Sequence, residues 1–442
     1  MNKADRERLE RRKRMLAREQ GTLTDTIPGT SGDIGLRTPK PIRRRAAAPA
    51  GQQPPAENVK SLEPLFKKRQ RRRMAFVTAV IVVLALFLAG LTGTLSASIA
   101  LLADSVDSAA LYLNRSSGGW PVNTGISDPV QIEELAGGFV ELGSSDAVVY
   151  SPYGVKAFAM QPGYARPVLA VGGTHFTVYN RAGNELTVAS RTAKLYTQTF
   201  DNSILLCAMS NNNSLAVVTE LSRYTAQLRV YDAAMHQTYN WQTTQTQGTP
   251  IAVAFSPDNR RFAAGTLAAR QGQPQCSIYF MDTASEEEGV AYKASQGSML
   301  MKLDWQTESR AVAVFDSYLA VLDPRTGTEV YRYDFGGATL QSVAAGRRQT
   351  ALLLNIRGGN SLVTLDDTLT PMAEIPARQA YGISATDTDI YLLCADAAEC
   401  YGYDGVRKWT RSDLPSRPLA VINARKTLVF TGTRAEILGN TA

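Results

Sequence analysis

The residues that could carry out chemistry are few in this chain of 442 residues, and they are scattered. The sequence has two histidines and four cysteines: His175, His236, Cys207, Cys276, Cys394 and Cys400. A metal site built from histidine and cysteine needs its ligands clustered at short spacing. The sequence has no such cluster, so we predict no metal site. Both histidines lie beside turn-like sequence, which favours surface or hairpin positions.

Motifs for phosphate binding and for nucleophilic catalysis are also missing from the sequence. No glycine-rich loop leads from a strand into a helix, and pairs such as Gly172-Gly173 lie between strand-like runs and indicate turns. No Gly-x-Ser-x-Gly motif is present. Asp387 and Asp389 are the best candidates for an aspartate-based calcium site in a loop. We predict no catalytic residue, no bound cofactor and no enzymatic activity.

The cysteines suggest one candidate disulfide. Cys394 and Cys400 flank residues 395–399 and can face each other across a hairpin. A spacing of six residues requires a loop of odd length, which leaves the register open. Cys207 and Cys276 lie in apolar, strand-like runs and are predicted to be buried thiols. Four cysteines are too few for a disulfide scaffold.

Charge is distributed unevenly, with an excess of cations at the N-terminus. Residues 1–73 hold 20 Lys and Arg against 8 Asp and Glu. They end in a membrane-flanking basic cluster: Lys67, Lys68, Arg69, Arg71, Arg72 and Arg73. From Met74 no charged residue occurs until Asp104, and about 20 apolar residues are enough to cross a bilayer.

Cationic flanks of a membrane span are retained in the cytoplasm. We therefore predict a single-pass protein of the cell membrane, with a cytoplasmic N-terminus and an extracytoplasmic C-terminal domain. A cleaved secretory signal is the competing interpretation of the apolar stretch.

The sequence divides into four segments. Residues 1–73 are a basic, mostly disordered cytoplasmic arm, and residues 74–103 are a transmembrane helix with a juxtamembrane extension. Residues 104–132 are a stalk, and residues 133–442 are the extracytoplasmic domain. A polybasic segment beside a span attracts anionic lipids of the inner leaflet, which are the expected partners of the arm. Its cations are not interleaved with aromatic residues, so nucleic acid is not an expected partner.

The extracytoplasmic segment shows the pattern of an all-β protein. Short apolar or alternating runs of five to seven residues recur between Gly, Asn, Asp and Pro turns. Several runs end in an aromatic or aliphatic residue followed by aspartate, at Asp232, Asp282, Asp323, Asp366 and Asp404. The intervals between these aspartates are 50, 41, 43 and 38 residues, which is typical of propeller blades.

We interpret each aspartate as a turn residue between the third and fourth strands of a blade, where its side chain can bond a backbone amide two residues on. The pattern predicts a β-propeller of seven or eight blades. N-terminal strands are expected to complete a C-terminal sheet and so close the ring.

Parts of the chain resemble known propeller repeats. The stretch VLDPRTGTEVY at residues 321–331 resembles the repeat of quinoprotein-like propellers, and FSPDNRRF at residues 255–262 resembles a hairpin of WD40-like propellers. A wider match joins the basic arm and the span to SPYGV at 151–155, RPVL at 166–169, VYNRAG at 178–183 and NSILLCA at 202–208. These features resemble a family of unknown function, made of membrane-anchored propeller proteins of Gram-positive bacteria.

The resemblance implies a fold and a compartment but supplies no catalytic residue. The favoured function is therefore a binding or scaffolding module at the cell surface, for an extracytoplasmic protein or glycan partner. Two alternatives stay open: an extracytoplasmic propeller enzyme, either a hydrolase or an oxidoreductase, and a sensor coupled through the span to a cytoplasmic partner.

Overall fold

The computed structural model describes residues 119–439, except for residues 286–288 and residue 357. The predicted arm, the basic cluster at residues 67–73 and the predicted span at residues 74–103 lie outside the described residues. Within the described part of the chain, no helix has the length and apolar character needed to cross a membrane.

The described residues form eight four-stranded antiparallel sheets, the blades of a β-propeller. The strands of each blade are given from the channel outward. Blade 1 contains β2 (Gln131–Leu135), β3 (Gly138–Leu142), β4 (Ala147–Tyr150) and β5 (Lys156–Met160), and blade 2 contains β6 (Pro167–Val171), β7 (His175–Asn180), β8 (Glu185–Ser190) and β9 (Lys194–Thr199). Blade 3 contains β10 (Ile204–Met209), β11 (Leu215–Glu220), β12 (Ala226–Tyr231) and β13 (Gln237–Thr243), and blade 4 contains β14 (Thr249–Phe255), β15 (Arg261–Arg270), β16 (Gln273–Asp282) and β17 (Val290–Lys293).

Blades 5 to 8 repeat the arrangement. They contain β18 (Leu300–Thr307), β19 (Arg310–Phe315), β20 (Tyr318–Asp323) and β21 (Thr328–Asp334); β22 (Thr339–Ala345), β23 (Thr350–Ile356), β24 (Gly359–Leu365) and β25 (Pro371–Pro376); β26 (Ala380–Ala385), β27 (Ile390–Cys394), β28 (Ala398–Tyr401) and β29 (Arg407–Arg411); and β30 (Pro418–Asn423), β31 (Thr427–Thr431), β32 (Arg434–Ile437) and β1 (Val122–Asn123). The all-β prediction is confirmed, and the blade number is eight.

The first strands of neighbouring blades contact one another and so surround the central channel. Because the strands are antiparallel, the loops divide between two faces of the ring. We call the face with the loops between first and second strands, and between third and fourth strands, the turn face. The opposite face, where the chain crosses from one blade to the next, is the crossover face.

The ring closes through blade 8, which combines both ends of the described chain. The N-terminal strand β1 pairs antiparallel with β32, with Val122 opposite Ala435 and Asn123 opposite Arg434. The predicted closure by an N-terminal strand is therefore confirmed. β1 and the first two residues of β2 lie within residues 104–132, which the sequence had assigned to a stalk, so the described propeller begins before residue 133. A two-residue strand is too short to show the alternation from which strands are predicted.

The repeated aspartates hold the turns between third and fourth strands. In all five predicted turns an aspartate Oδ1 accepts a hydrogen bond from the backbone amide two residues on, at 2.8–3.0 Å: Asp232, Asp282, Asp323, Asp366 and Asp404. The prediction that these aspartates are turn residues is confirmed. In blades 1 and 2 the hydroxyls of Ser151 and Ser190 accept the equivalent bonds, from Tyr153 and Thr192.

The apolar core is divided into eight clusters, one between each pair of neighbouring blades. Second and third strands are apolar on both faces, as in β19 and β23, because each face covers a different neighbour. Fourth strands alternate between buried and exposed residues, as in β13, because they form the outer rim. No blade could bury its faces alone, so stability depends on the complete ring.

The cysteines are all unbonded and buried. Cys394 lies on β27 and packs in the cluster between blades 6 and 7, whereas Cys400 on β28 packs in the cluster between blades 7 and 8. In the register of these strands Cys400 lies opposite Tyr391 and not opposite Cys394. The candidate disulfide is therefore not formed, because the two thiols lie on opposite faces of one sheet. Burial raises the pKa of the Cys394 thiol to about 11 and that of Cys400 to about 12.

Alkylation of the unfolded chain without a reductant tests the state of the thiols. We expect four modified cysteines by mass spectrometry, because none is bonded. The folded protein should react slowly, since a buried thiol with a raised pKa holds little thiolate. Only two modified cysteines in the unreduced, unfolded chain would contradict the structure.

Substitution of Phe139 tests the closing seam between blades 8 and 1. Its fully buried ring stacks on Tyr150 at 5.1 Å and meets Phe430 edge-on at 4.9 Å. Phe139→Ala should lower the apparent free energy of unfolding by about 3–5 kcal/mol, measured by urea denaturation. Val330→Ala, at a side chain that is 49% exposed, is the control and should change it by less than about 0.5 kcal/mol. Equal effects of the two substitutions would show that the seam does not limit stability.

Candidate functional site

The two histidines lie in different blades and in different surroundings. His175 is buried at the start of β7, and its backbone amide donates a 3.1 Å hydrogen bond to the Asn213 side chain. His236 lies in an exposed turn of blade 3, where its Nδ1 is 3.1 Å from the carboxylate of Asp232. Across the described ranges, no three His, Cys, Asp or Glu side chains are grouped as metal ligands would be.

The two aspartates considered for calcium are each paired with a cation instead. Asp387 accepts a 3.0 Å bond from the Arg347 amide and lies 3.6 Å from its guanidinium. Asp389 contacts Lys408 at 2.5 Å. Burial acts to raise the pKa of Asp389, but hydrogen bonds from Lys408 and Thr388, together with the charge of Lys408, outweigh it and hold the pKa below its usual range. The first pair links loops of blades 6 and 7, the second lies within blade 7, and the two carboxylates have separate partners.

Charged side chains on the described first strands occur in only two blades. They are Glu133 and Glu134 on β2, and Lys302 and Asp304 on β18. Blades 1 and 5 stand opposite each other in a ring of eight, so Glu133 faces Lys302 across the channel. The Glu134 carboxylate instead accepts a bond from the Gly137 amide. Lys302 Nζ lies 3.6 Å from Asp304 Oδ2. The described first strands thus carry charged side chains at one level of the channel wall only, which we call the polar level.

Glu133 has the most perturbed carboxyl at this level. The Gln131 amide donates to its Oε1 at 3.3 Å and to the Leu169 carbonyl at 3.1 Å, which ties blade 1 to blade 2. Burial by the channel walls raises the pKa of Glu133, and Gln131 and Lys302 partly offset this rise. The carboxylate reaches channel water but pays a desolvation penalty that a cation in the channel would relieve.

A cavity of about 610 Å³ opens from this level toward the turn face. Its wall includes both polar and apolar groups from five consecutive blades, among them Glu133, Met209, Phe255, Asp304 and Trp305. Trp305 is fixed by a 3.0 Å bond from its indole nitrogen to the Ala254 carbonyl. Carboxylates beside fixed aromatic side chains suit the binding of a cationic group.

The other end of the channel, at the crossover face, is shaped by a repeated β-bulge. In blades 3 to 8 the pairing of the first and second strands skips one residue near the start of the first strand, its second residue in four blades and its third in blades 4 and 6. The extra residues form a set that we call the bulge ring: Leu205, Ile251, Met301, Gln341, Tyr381 and Leu419.

Five of the six side chains of the bulge ring are apolar or aromatic, and the ring is exposed at Met301, Gln341 and Leu419, whereas its other three members are partly buried against core clusters. Met301 is 64% exposed and Leu419 is 40% exposed, and Val130 beside them in blade 1 is 52% exposed. Residues just before the bulges, such as Leu300, are buried between blades. A bulge inserts one residue and re-aims its side chain, and in blades 5 and 8 the re-aimed side chain is an exposed apolar group, Met301 or Leu419.

Two cations border the bulge ring. The Arg417 guanidinium lies over the Tyr381 ring at 4.1 Å, and the Tyr381 hydroxyl donates to the Pro418 carbonyl. Lys302 follows Met301 directly on β18. The crossover end of the channel therefore combines exposed apolar side chains with a positive edge.

Sequence reasoning missed both features of the channel. The bulged positions lie inside apolar runs and look like ordinary core residues. A signal becomes visible only when first strands are superimposed by their pairing, because the bulged position then holds a large side chain in six blades. No local signal connects Glu133 with Lys302, which are brought together by closure of the ring.

The chain matches solved structures at low sequence identity. Among solved structures, BamB from Moraxella catarrhalis matches with a TM-score of 0.48 and 14% identity, over 74% of this chain and 98% of that chain. A eukaryotic initiation factor matches with a TM-score of 0.49 and 10% identity, over 72% and 84%. Hsv2 from Kluyveromyces lactis matches with a TM-score of 0.46 and 8% identity, over 65% and 98%.

No curated protein matches the sequence. A family model does match, over residues 118–433, a range that begins just before β1 and includes every strand through β31. The match covers well over half of the chain. The chain therefore belongs to the family of unknown function DUF5711.

Proposed function

We propose that the chain is a membrane-anchored binding module, whose propeller lies outside the cell and docks a partner protein on the bulge ring. The observation that carries this proposal is the exposure of Met301 and Leu419 at equivalent bulges on innermost strands. Exposed apolar side chains gain free energy when a partner covers them. A bulge that recurs in six blades indicates a selected surface feature.

The chemistry of the ring favours a peptide segment over a glycan. Sugar hydroxyls that lose water need hydrogen-bond partners. The ring offers the Gln341 amide, while the Tyr381 hydroxyl already donates to the Pro418 carbonyl. A segment with apolar side chains and an acidic residue would cover Met301 and Leu419 and meet the charges of Lys302 and Arg417.

The point where the chain enters the propeller supports this choice of surface. The Gly119 carbonyl lies against Gly154, in the turn between β4 and β5, so the described chain enters at the turn face. A tether from the proposed span at residues 74–103 would arrive on that side. The crossover face, with the bulge ring, then lies away from the point of attachment.

The proposed orientation is tested with tags on each terminus of the full chain in intact cells. A C-terminal tag should be removed by added protease, because the propeller is extracytoplasmic in this proposal. An N-terminal tag should survive until the cells are permeabilised, because cationic flanks stay inside. Protection of both tags, or loss of both, would contradict the orientation.

Proximity labelling from the C-terminus of the full chain tests the bulge ring. The wild type is compared with two double variants. The ring variant, Met301→Ser/Leu419→Ser, removes the exposed apolar side chains of the bulge ring. The outer-strand variant, Val330→Ser/Met372→Ser, is the control and removes apolar side chains of similar exposure from outer strands. We expect a defined envelope protein to be enriched by the wild type and by the outer-strand variant, and lost from the ring variant.

The partner identified in this way then allows an affinity measurement with purified proteins. Loss of two partly buried apolar contacts should cost about 2–3 kcal/mol, or about 50-fold in Kd. The outer-strand variant should bind like the wild type, and circular dichroism should show all three proteins folded. Identical enrichment by all three would exclude the bulge ring as the docking surface.

A further inference from the structure

The closing seam between blades 8 and 1 contains a buried acid without a partner. Glu141 lies on β3, whose five residues are all buried. Phe139 and Glu141 project to the same face because side chains alternate along a strand. Phe139 packs in the cluster between blades 8 and 1, as do Ile132 and Val148, which lie opposite Glu141 on the neighbouring strands. Glu141 therefore faces the seam.

Neither oxygen of the Glu141 carboxyl has a hydrogen-bond partner, and the residue is only 1% exposed. The polar side chain that acts on this carboxyl is Thr124, which immediately follows β1 and lowers the pKa of Glu141. The Thr124 hydroxyl donates to the Thr433 carbonyl at 3.2 Å and accepts from the Ile126 amide at 3.4 Å. Because its one proton is engaged with the Thr433 carbonyl, Thr124 offsets the burial of Glu141 only in part.

The elements around the seam supply no cation bound to this carboxyl. On β4, the Tyr150 hydroxyl donates to the Asn123 carbonyl at 2.8 Å. On β32, Arg434 pairs with Glu436 at 3.1 Å, and β1 and β31 carry no titratable residue.

Two further titratable groups, Asp146 and Lys156, line a cavity of about 420 Å³ that adjoins the seam, whereas Glu133 and Glu134 on β2 are exposed. Thr124 and Val148 also line this cavity. Water therefore has a route to the edge of the seam that does not require blades to separate.

Burial disfavours the ionised carboxylate, so the group keeps its proton to a higher pH than an exposed glutamate does. Burial raises the pKa of Glu141 to about 7, and the nearby Thr124 offsets this only slightly. The segment that covers the acid is held weakly, because β1 has only two residues paired with β32.

We propose that Glu141 is a pH-dependent latch on the N-terminal strand. With the carboxyl protonated, β1 and residues 124–130 stay closed over the seam. Loss of the proton leaves an unpaired carboxylate, which water from the adjoining cavity solvates when β1 and this segment detach. The other seven blade interfaces do not contain this carboxyl and remain closed.

The direction of the pH effect follows from linkage. In the detached state Glu141 has its ordinary pKa of 4.5, and in the closed state its pKa is about 7. Below pH 4.5 both states are protonated and closure is strongest. As the pH rises from 4.5 to 7 the detached state ionises first, so closure weakens by about tenfold per pH unit, and about 300-fold in total. Above pH 7 both states are ionised and the effect levels off.

The latch has a consequence that rests on the proposed membrane anchor. β1 is the first described strand after the proposed span, so its release would add residues 119–130 to the tether. Twelve extended residues reach about 40 Å. Neutral pH would then let the propeller stand farther from the membrane than acidic pH does.

Hydrogen exchange of the purified full chain in detergent tests the latch without reference to membrane orientation. Exchange is measured by mass spectrometry from pH 5 to 8 and corrected for the intrinsic pH dependence of amide exchange. We expect protection of β1 and β32 to fall as the pH rises toward 7, while β12 in blade 3 keeps its protection. Glu141→Gln should keep the seam protected at every pH, and Glu308→Gln, at an exposed carboxylate, should behave like the wild type.

Three results would overturn the proposal. Corrected protection of β1 that does not change with pH in the wild type would show that Glu141 does not ionise there. The same pH dependence in Glu141→Gln would assign it to another group. Equal loss of protection in β12 would mean that the whole fold loosens and that no local latch exists. The pH series of the wild-type protein tests the proposal even if Glu141→Gln does not fold.

Discussion

The structure depends on closure of the ring, because no blade can bury its two apolar faces alone. Each of the eight core clusters contains residues of two neighbouring blades. Seven interfaces join blades that follow directly along the chain. The eighth joins the two ends of the described chain, where Phe139 of blade 1 meets Phe430 of blade 8 at 4.9 Å. β1 pairs with β32 across this junction and so brings the N-terminal residues into the last sheet.

The fold could be predicted from the sequence where its determinants are local. Asp323 begins a turn because its carboxylate accepts a bond from the Arg325 amide, and both residues lie in one short stretch. That interaction is encoded in the sequence of blades 3 to 7, and its period identified the blades. The start of the propeller was placed too late, because β1 is set by its contact with β32 and not by its own two residues. The candidate disulfide failed for a related reason: the strands are adjacent, but the register places Cys400 opposite Tyr391.

The channel was beyond sequence reasoning, since its features arise between distant segments. Met301 lies in an apolar run, and only the pairing of Leu300 with Phe315 and of Lys302 with Val314 shows that it is an extra residue. The polar level of the channel joins Glu133 to Lys302 across the diameter of the ring. A sequence pattern shows which residues of a strand lie on its buried face. The position of a bulge and the identity of the opposite blade depend on how the strands pair in the assembled protein.

Blade 8 carries both proposed features, and its geometry keeps them apart. Leu419 of the bulge ring lies on β30, the innermost strand, whereas β1 is the outermost strand of the same sheet. β31 and β32 stand between them, and β30 is held by its pairing with β31 through Val421 and Val429. Detachment of β1 removes one rim strand and leaves that pairing in place. In the proposed arrangement, the protein would change the length of its attachment at the rim while the proposed binding surface at the channel keeps its conformation.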